Sequence, residues 1–237
     1  MPRRLAIADI HGCAQTFNQL LKKLELEKQD QVYLLGDYID RGPDSKGVLD
    51  TIMNLIADGY AIQPLLGNHE KLFVDTYTNV EKNDSWRLYG TAPTLDSFRV
   101  SHPQDTPVEY YNFLTTLPTI AVTDDYVLVH AGLDFSLTDP INGTPEDFRL
   151  CGRNYSVKPE KIGNRTLVVG HTVTDLLTIE GSVKALKEGS LEANCIRLDN
   201  GCYDKGHIGF GSLVALDLDS KELVRVENSR DLGYPYR

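Results

Sequence analysis

Short apolar segments alternate with amphipathic ones over the first seventy residues of the chain. The apolar segments lie at 4–10, 32–35 and 60–66, and each is followed within two residues by a glycine. Their length and apolar content predict buried strands. Residues 14–26 and 44–58, which lie between them, repeat apolar side chains at helical spacing and predict amphipathic helices. The resulting β-α-β-α-β order predicts a parallel sheet with helical crossovers.

The pattern changes after the third predicted strand. Residues 68–118 are predicted to be mostly helical and to end at Pro118. Beyond that point, short strands separated by turn-forming residues are predicted at 119–123, 126–130, 166–169, 174–180, 194–199, 211–217 and 222–227. The segment 133–164, rich in Asp, Pro, Gly and Asn, is predicted to be a long irregular connection, and such loops are often functional. We predict one α/β domain over 1–237, with a parallel first half and a more antiparallel second half.

Polar residues of similar chemistry follow five of the predicted strands. In open α/β sheets, ligands bind outside the carboxyl ends of the strands, so five such ends can converge on one pocket. The segments are Asp9-Ile10-His11-Gly12, Gly36-Asp37-Tyr38-Ile39-Asp40-Arg41-Gly42, Gly67-Asn68-His69-Glu70, His130-Ala131-Gly132 and Gly170-His171-Thr172. Four of the six histidines lie within them. The other two, His102 and His207, lie in polar sequence and are interpreted as surface or turn residues.

Six side chains in these segments are candidate metal ligands: Asp9, His11, Asp37, Asn68, His130 and His171. They offer carboxylate, imidazole and amide donors without a thiolate, a set that suits Mn²⁺, Fe or Zn²⁺. Six ligands exceed the three that one catalytic ion usually takes. With Asp37 bridging, they suit two ions about 3.5–4 Å apart.

Each candidate also has an ordinary structural interpretation when it is taken alone. Asp9 could cap the next helix, and Asn68 could be a turn residue or a cap. Asp37 could belong to a plain turn, and His130 or His171 could be a hydrogen-bonded histidine of the core. Five strand ends with compatible donors favour a metal site over a coincidence of five such roles.

The composition limits the classes of partner. The chain has 237 residues and a formal net charge of −10, with 41% hydrophobic and 24% charged residues. These values are typical of an ordinary globular protein, and the acidic balance disfavours nucleic acid and anionic membranes as partners. No apolar run approaches the roughly 20 residues of a membrane span. Four cysteines without CxxC spacing indicate reduced thiols in a cytoplasmic protein, with a Cys195–Cys202 disulfide as the alternative.

The series of motifs resembles the calcineurin-like metallophosphoesterases, and within them the phosphoprotein-phosphatase branch with its bacterial and phage members. The motifs at 36–42 and 67–70 are the specific ones. The resemblance extends from Asp9 to His171, and weakly on to Leu198-Asp199-Asn200-Gly201. The chain length and the His-Ala-Gly form at 130–132 are similar to the small lambda-phage-type protein phosphatases and to the symmetrical diadenosine tetraphosphate hydrolases. The resemblance implies a four-layer α-β-β-α sandwich with a dinuclear metal site between its sheets.

The resemblance also implies a role for each motif residue. The first metal ion would be held by Asp9, His11 and Asp37. The second would be held by Asp37, Asn68, His130 and His171. His69 would be the general acid, oriented by Asp40, and Arg41 would bind phosphate oxygens together with Asn68.

A second phosphate-binding arginine is expected from the resemblance, usually in a stretch such as Leu-Trp-x-Arg. In this chain Leu150-Cys151-Gly152-Arg153 occupies the matching interval, so Arg153 is the predicted residue. Cys151 stands where the pattern has tryptophan, and Arg149 is a nearby competitor. A solvated surface arginine is the ordinary alternative.

The implied activity is hydrolysis of a phosphate monoester by direct attack of hydroxide generated at the two metal ions, without a phosphoenzyme. We expect a serine/threonine protein phosphatase that uses two Mn²⁺ ions, with Fe or Zn²⁺ as alternatives, and that acts on a phosphoprotein or a small phosphorylated substrate. A symmetrical diadenosine tetraphosphate hydrolase is the first alternative, in which Tyr89, Trp86 or Tyr155 could stack on adenine. A non-catalytic scaffold with the same fold is the second, and it is disfavoured because a scaffold needs no general acid.

Overall fold

Nine strands form two sheets in the computed structural model, which describes residues 2–79, 81, 86–190, 194–204 and 206–228. The strands are β1 Arg4–Ile7, β2 Gln31–Leu34, β3 Ala61–Pro64, β4 Ile120–Val122, β5 Tyr126–Val129, β6 Thr166–Val169, β7 Cys195–Arg197, β8 Ser212–Asp217 and β9 Leu223–Glu227. The structure contains every strand predicted from the sequence, with ends that differ by a few residues, except the strand predicted at 174–180.

The helices within the same described residues are α1 Ala14–Leu24, α2 Ser45–Ala57, α3 Asn68–Thr78, α4 Ala92–Phe98, α5 Val108–Thr115, α6 Pro140–Gly143, α7 Glu146–Cys151 and α8 Leu176–Lys187. Helix α1 buries Phe17, Leu20 and Leu24, which share one face at helical spacing. Helix α2 begins after Asp44, whose Oδ1 accepts the backbone N–H of Gly47 at 2.8 Å. None of the described helices has both the length and the apolar character that a bilayer crossing requires.

The first sheet has the strand order β3-β2-β1-β8-β9, with β1, β2 and β3 parallel to one another and β8 and β9 antiparallel to their neighbours. The second has the order β4-β5-β6-β7, in which β5, β6 and β7 are parallel and β4 is antiparallel to β5. Most antiparallel pairing therefore involves strands of the second half of the chain, as predicted. The carboxyl ends of β1, β2 and β3 lie at one edge of the first sheet, and those of β5, β6 and β7 at one edge of the second.

Successive residues of a strand point to opposite faces of its sheet, and this alternation builds the layers. On β1, Leu5 packs in a cluster with Phe17 of α1, whereas Ala6 belongs to a second cluster with Leu128 of the other sheet. A third cluster around Val127 covers the outer face of the second sheet with residues of the segment 133–164. Helices, first sheet, second sheet and a thin outer layer give the predicted four-layer α/β sandwich.

The predicted strand at 174–180 is wrong, because Leu176–Lys187 form helix α8. Asp175 caps this helix, with its Oδ1 accepting the backbone N–H of Thr178 at 3.0 Å. The β-branched residues of the segment favour a strand, but the cap and the helical spacing of the buried side chains outweigh that preference.

Two other predictions are refined by the structure. The connection 133–164 is long, yet it contains the short helices α6 and α7 and a 3-10 turn at Pro159–Ile162. The helical prediction for 68–118 corresponds to three separate helices and a 3-10 turn at Pro103–Asp105 within its described residues.

All four cysteines of the chain are free thiols.

Candidate metal centre

The loops that follow β1, β2, β3, β5 and β6 meet at one place between the two sheets. The backbone N–H of His11 donates to the carbonyl of Asp37 at 2.8 Å, which joins the first two loops. The backbone N–H of His171 donates to Oδ2 of Asp9 at 2.9 Å, which joins the two sheets. The structure thus brings together the six candidate ligands predicted from the sequence.

The carboxylate of Asp37 lies between two imidazoles. Oδ2 of Asp37 is 3.5 Å from Nε2 of His11, and Oδ1 is 3.4 Å from Nε2 of His130. The Nδ1 atoms of these histidines lie 3.0 Å and 2.8 Å from the carbonyl oxygens of Ile39 and Leu35, to which they can only donate. In the neutral ring, each Nε2 then carries a lone pair that faces a carboxylate oxygen, so the pair needs a cation or a proton between them. This is the hydrogen-bonding pattern of metal-ligating histidines.

Unpaired polar atoms around Asp37 fit the same interpretation. Oδ1 of Asp9 and Nε2 of His171 are buried and have no hydrogen-bond partner among the described residues. Oδ1 of Asn68 lies 2.9 Å from both Nε2 of His130 and Nδ1 of His171. Buried polar groups normally have hydrogen-bond partners. Unpaired oxygen and nitrogen atoms around one carboxylate therefore fit the ligand shell of a pair of divalent cations.

Two glycines let the carboxylates approach the backbone of the loops. A Cβ at Gly170 would lie 1.9 Å from Oδ1 of Asp9, and a Cβ at Gly67 would lie 2.3 Å from Oδ1 of Asp37. Real Cβ atoms do not come this close to an oxygen. These positions therefore require glycine if Asp9 and Asp37 are to hold their positions.

The groups with ligand atoms within 4.8 Å of one another differ from the predicted sets in one respect. One group is Asp37, His130 and His171, which are three of the four ligands predicted for the second ion. The other is His11, Asp37 and His69, so His69 rather than Asp9 belongs to this group. The individual ligand assignments stay predictions.

The electrostatics of the cluster follow from burial and mutual charge. Burial raises the pKa of Asp37, but the charges of His130 and His69 outweigh burial and hold it well below its usual value. Burial and the charge of Asp199 raise the pKa of Asp9 well above its usual value. Burial lowers the pKa of His130, but Asp37 outweighs it and raises this pKa to about 10. Cations must displace such protons, so metal binding here is expected to release protons.

His69 is held by a buried carboxylate. Its Nδ1 lies 2.7 Å from Oδ2 of Asp40, and its Nε2 has no hydrogen-bond partner among the described residues. Asp40 also accepts from Nε1 of Trp86 at 3.1 Å and from Oγ1 of Thr94 at 2.6 Å. Burial lowers the pKa of His69, but the charge of Asp37 and the hydrogen bond to Asp40 outweigh burial and raise it. His69 is thus arranged to carry a proton on Nε2, next to Asp37.

The residues that line the central cavity surround this group. The cavity has a volume of about 250 Å³. Its described lining residues are His11, Asp37, Arg41, Asn68, His69, Tyr89, Cys151, Arg153, His171, Val173 and Asp199.

The two predicted phosphate-binding arginines, Arg41 and Arg153, both line the cavity. The competitor Arg149 instead donates from its guanidinium to Oγ1 of Thr119 at 2.9 Å and to the carbonyl of Ile141 at 2.8 Å. Arg149 thus supports the loop structure, whereas Arg153 lines the cavity.

The aromatic residues considered for stacking on adenine occupy different positions. Trp86 is fully buried and donates to Asp40, so it cannot stack on a substrate. The hydroxyl of Tyr155 donates to the carbonyl of Ala131 at 2.7 Å and supports the turn after β5. Tyr89 lines the cavity and is 46% exposed.

Two carboxylates of the site, Asp199 and Glu70, lie in motifs of the sequence but received no predicted role. Asp199 follows β7, is buried and lines the cavity, and its Oδ1 accepts the backbone N–H of Gly201 at 2.7 Å. Glu70 is fully buried and accepts the backbone N–H groups of Asp37 at 2.8 Å and of Tyr38 at 2.7 Å. These bonds hold Asp37 in a left-handed conformation with φ of 52°, which costs energy for a residue other than glycine. Asp199 follows the predicted strand at 194–199, so the strand-end signal could have found it.

The sequence comparison identifies the family of the chain. Residues 2–179, most of the chain, match the family described as calcineurin-like phosphoesterases. The chain therefore belongs to the calcineurin-like phosphoesterase family.

Individual relatives refine the comparison. The chain is similar to a symmetrical bis(5'-nucleosyl)-tetraphosphatase from Pectobacterium carotovorum, with 33% identity over 133 residues, which are 54% of this chain and 42% of the relative. The match thus spans less than half of the length of this curated relative.

Solved structures share the fold at low identity. A crystal structure of a protein provisionally assigned as a diadenosine tetraphosphatase has a TM-score of 0.65 and 20% identity, and the match covers 95% of each chain. A serine/threonine phosphatase from Saccharomyces cerevisiae has a TM-score of 0.58 and 15% identity, and the match covers 95% of this chain and 79% of that one. At these identities the likeness shows the fold alone.

Proposed function

We propose that the chain is a metal-dependent phosphoesterase that cleaves bis(5'-nucleosyl) tetraphosphates symmetrically. The observation that carries the proposal is the position of Asp37 between His11 and His130, 3.5 Å and 3.4 Å from their Nε2 atoms, in a cavity that also holds His69 and Arg41. The site combines metal-ligand atoms, a proton-carrying imidazole and a guanidinium. Together these groups suit phosphoryl transfer to water.

Each group has a chemical task in this proposal. Two divalent cations, for which we propose Mn²⁺, would supply Lewis-acid activation of the phosphate and of water when bound by the six predicted ligands. Arg41 and Arg153 bind the equatorial phosphate oxygens, because guanidinium groups match phosphate in bidentate geometry. His69 gives its Nε2 proton to the departing oxygen, and Asp40 fixes the ring so that this proton points to the cavity. A scaffold without catalysis has no need for the His69–Asp40 pair.

The choice of a dinucleotide over a phosphoprotein rests on a surface next to the cavity and on the named relative. A shallow groove of about 360 Å³ is lined by Arg41, Leu88, Tyr89 and Tyr203. Leu88 is 85% exposed, so an apolar side chain lies uncovered beside a phosphate-binding arginine. A planar nucleobase could pack on Leu88 and Tyr89 while its phosphate chain reaches Arg41. The curated relative is named as a hydrolase of this class, which supports the dinucleoside tetraphosphate alternative better than the phosphoprotein prediction.

A side-by-side assay with Mn²⁺ tests this proposal. We expect kcat/KM to be at least about tenfold higher on diadenosine tetraphosphate than on a phosphoserine peptide, which corresponds to about 1.4 kcal/mol of differential transition-state binding. The Leu88→Ser variant should reduce the ratio of the two kcat/KM values about three- to tenfold, because the variant removes apolar contact area.

Val108→Ser is the matched control, since Val108 is 56% exposed on α5 and does not line the described groove. It should leave the ratio unchanged. A preference for the phosphoserine peptide would support the protein-phosphatase prediction instead. Absence of hydrolysis with Mn²⁺, Fe and Zn²⁺ would favour the scaffold.

The proposed partner is thus a small nucleotide, and nucleic acid and membrane surfaces are not proposed as partners. The formal charge of −10 disfavours broad polyanion binding. Two divalent cations beside Arg41 and Arg153 would still make one positive pocket for a phosphate chain. We propose a cytoplasmic location because the four cysteines are free thiols.

A further inference from the structure

The loop between β7 and β8 places Tyr203 against Arg41, although 162 positions separate them. Nη1 of Arg41 donates to the hydroxyl of Tyr203. Cζ of the same guanidinium lies 4.4 Å from the centroid of the tyrosine ring. One tyrosine therefore gives Arg41 both a hydrogen bond and a cation–π contact.

Tyr203 also belongs to a series of aromatic rings around the cavity. Its ring meets that of His11 edge-on at 5.0 Å, and His11 meets His69 at 4.8 Å. The ring of His69 meets Tyr89 at 5.8 Å. A displacement of Tyr203 would therefore disturb Arg41 on one side and the His11–His69 pair on the other.

The loop that bears Tyr203 is fixed by buried polar groups. Oδ1 of Asn200 accepts the backbone N–H of Ser212 at 3.0 Å, and Asn200 is 1% exposed. Nδ2 of Asn228 donates to the carbonyl of Cys202, the residue before Tyr203, at 2.8 Å. These bonds attach the loop to the first sheet and give Tyr203 a rigid support.

The backbone of Arg41 is fixed independently of its side chain. Arg41 has a left-handed φ of 69°, and its backbone N–H donates to the carbonyl of Gly90 at 2.8 Å. An arginine side chain loses rotamer freedom when it binds phosphate, and a guanidinium held in advance loses less.

We propose that Tyr203 is a positioning residue that holds the guanidinium of Arg41 for phosphate binding. Arg41 lines the central cavity, whereas Tyr203 is a lining residue of the adjacent groove, so its effect on a phosphate in the cavity is exerted through Arg41. The inference rests on the proposed function only in requiring that Arg41 binds phosphate. It does not depend on which phosphorylated substrate the site accepts.

The test is calorimetric titration of inorganic phosphate into the Mn²⁺-loaded protein. Tyr203→Leu should raise the dissociation constant of phosphate about tenfold, because it removes both contacts to Arg41. Tyr203→Phe keeps the ring and should raise it only about two- to threefold. Tyr111→Leu is the matched control, since its ring stacks on Tyr77 at 4.4 Å and does not line the cavity, and it should leave the constant unchanged.

A double-mutant cycle separates positioning from general damage. In an Arg41→Ala background, Tyr203→Leu should change the phosphate constant less than about twofold, because the group that it positions is gone. An equal loss in both backgrounds, or no loss in the wild-type background, would overturn the proposal. If Tyr203→Leu does not fold by circular dichroism, the same cycle with Tyr203→Phe decides, with a loss expected only when Arg41 is present.

The two proposals fail in different ways. A wild-type protein that binds Mn²⁺ but no phosphate contradicts the proposed function and the phosphate role of Arg41 with it. A wild-type protein that binds phosphate no better than Tyr203→Leu contradicts the positioning role alone.

Discussion

His69 donates the hydrogen on Nδ1 to Oδ2 of Asp40 across 2.7 Å, at a place where both side chains are buried. Asp40 is itself fixed by Trp86 and Thr94, which donate to its two oxygens. The orientation of the imidazole is thus set by a carboxylate that cannot turn. The other nitrogen of His69, Nε2, faces the cluster around Asp37 and lies 3.9 Å from Oδ2 of that residue.

Asp40→Asn tests the importance of this carboxylate. The charge of Asp40 helps to raise the pKa of His69, so its removal should lower that pKa and reduce the fraction of protonated acid at neutral pH. We expect kcat to fall by about 10²-fold and the alkaline limb of its pH profile to move to lower pH. The measurement is the pH dependence of kcat. An unchanged limb with an unchanged kcat would contradict the proposed role of His69.

Gly170→Ala should weaken metal binding while the fold remains. The added Cβ would meet Oδ1 of Asp9 at 1.9 Å and displace this carboxylate. We expect the Mn²⁺ affinity in a calorimetric titration to fall by about tenfold or more, in the range that misplaced ligand shells produce. Gly181→Ala in α8 is the control, because nothing lies within 4 Å of its Cβ, and it should stabilise the helix by about 0.5–1 kcal/mol. Equal affinities in the two variants would exclude Asp9 from the metal site.

Much of the candidate site could be predicted from the sequence because its residues follow strands. Asp9, Asp37 and Asn68 each come just after one of the three parallel strands of the first sheet, and parallel strands end at a common edge. The same holds for His130 and His171 in the second sheet. The position of these residues at strand ends therefore predicts, from the sequence alone, that their side chains lie close together.

The supporting contacts could not be predicted in the same way. Thr94 and Trp86 reach Asp40 from 54 and 46 positions away, and nothing in their local sequence indicates a partner. Tyr203 reaches Arg41 through a loop whose path depends on the packing of β7 and β8. Such contacts are set by tertiary structure, which the periodicity of apolar residues does not describe.

Helix α8 is the element whose local sequence pattern predicted the wrong structure, a strand at 174–180. The segment contains the β-branched residues Thr174, Thr178 and Ile179, which favour a strand. The buried residues Ile179 and Val183 are four positions apart, and Asp175 supplies the N-cap. An N-cap residue followed by apolar residues at helical spacing indicates a helix at this position.

The Arg3–Asp30 pair gives a pH-dependent contribution to stability. Burial raises the pKa of Asp30, but hydrogen bonds from the side chain of Arg3 and from the backbone of Glu27 and Arg3 outweigh it and lower this pKa to about 2. A carboxyl with a lowered folded-state pKa stabilises the fold above its unfolded pKa of about 3.8, and this stabilisation is lost as the pH falls towards 2. Because Arg3 is one-third exposed, solvent screening reduces the contribution to about 1–2 kcal/mol.

Comparison of the wild type with Asp30→Asn measures this contribution. The difference between their free energies of unfolding should be about 1–2 kcal/mol larger at pH 7 than near pH 2.5. Denaturant titrations at a series of pH values provide the measurement. A difference that does not change with pH would show that the charge of Asp30 contributes nothing to stability.

Asp37 is the residue that we propose would hold both metal ions, since its two oxygens face His11 and His130. Electron paramagnetic resonance of the Mn²⁺-loaded protein, together with the number of Mn²⁺ ions bound per chain, tests this proposal most directly. The wild type should bind two Mn²⁺ ions that show an exchange-coupled spectrum, because ions that share one carboxylate lie about 3.5–4 Å apart. Asp37→Asn should bind fewer ions and lose the coupled signal. A single isolated Mn²⁺ in the wild type, or a coupled pair that persists in Asp37→Asn, would contradict the account.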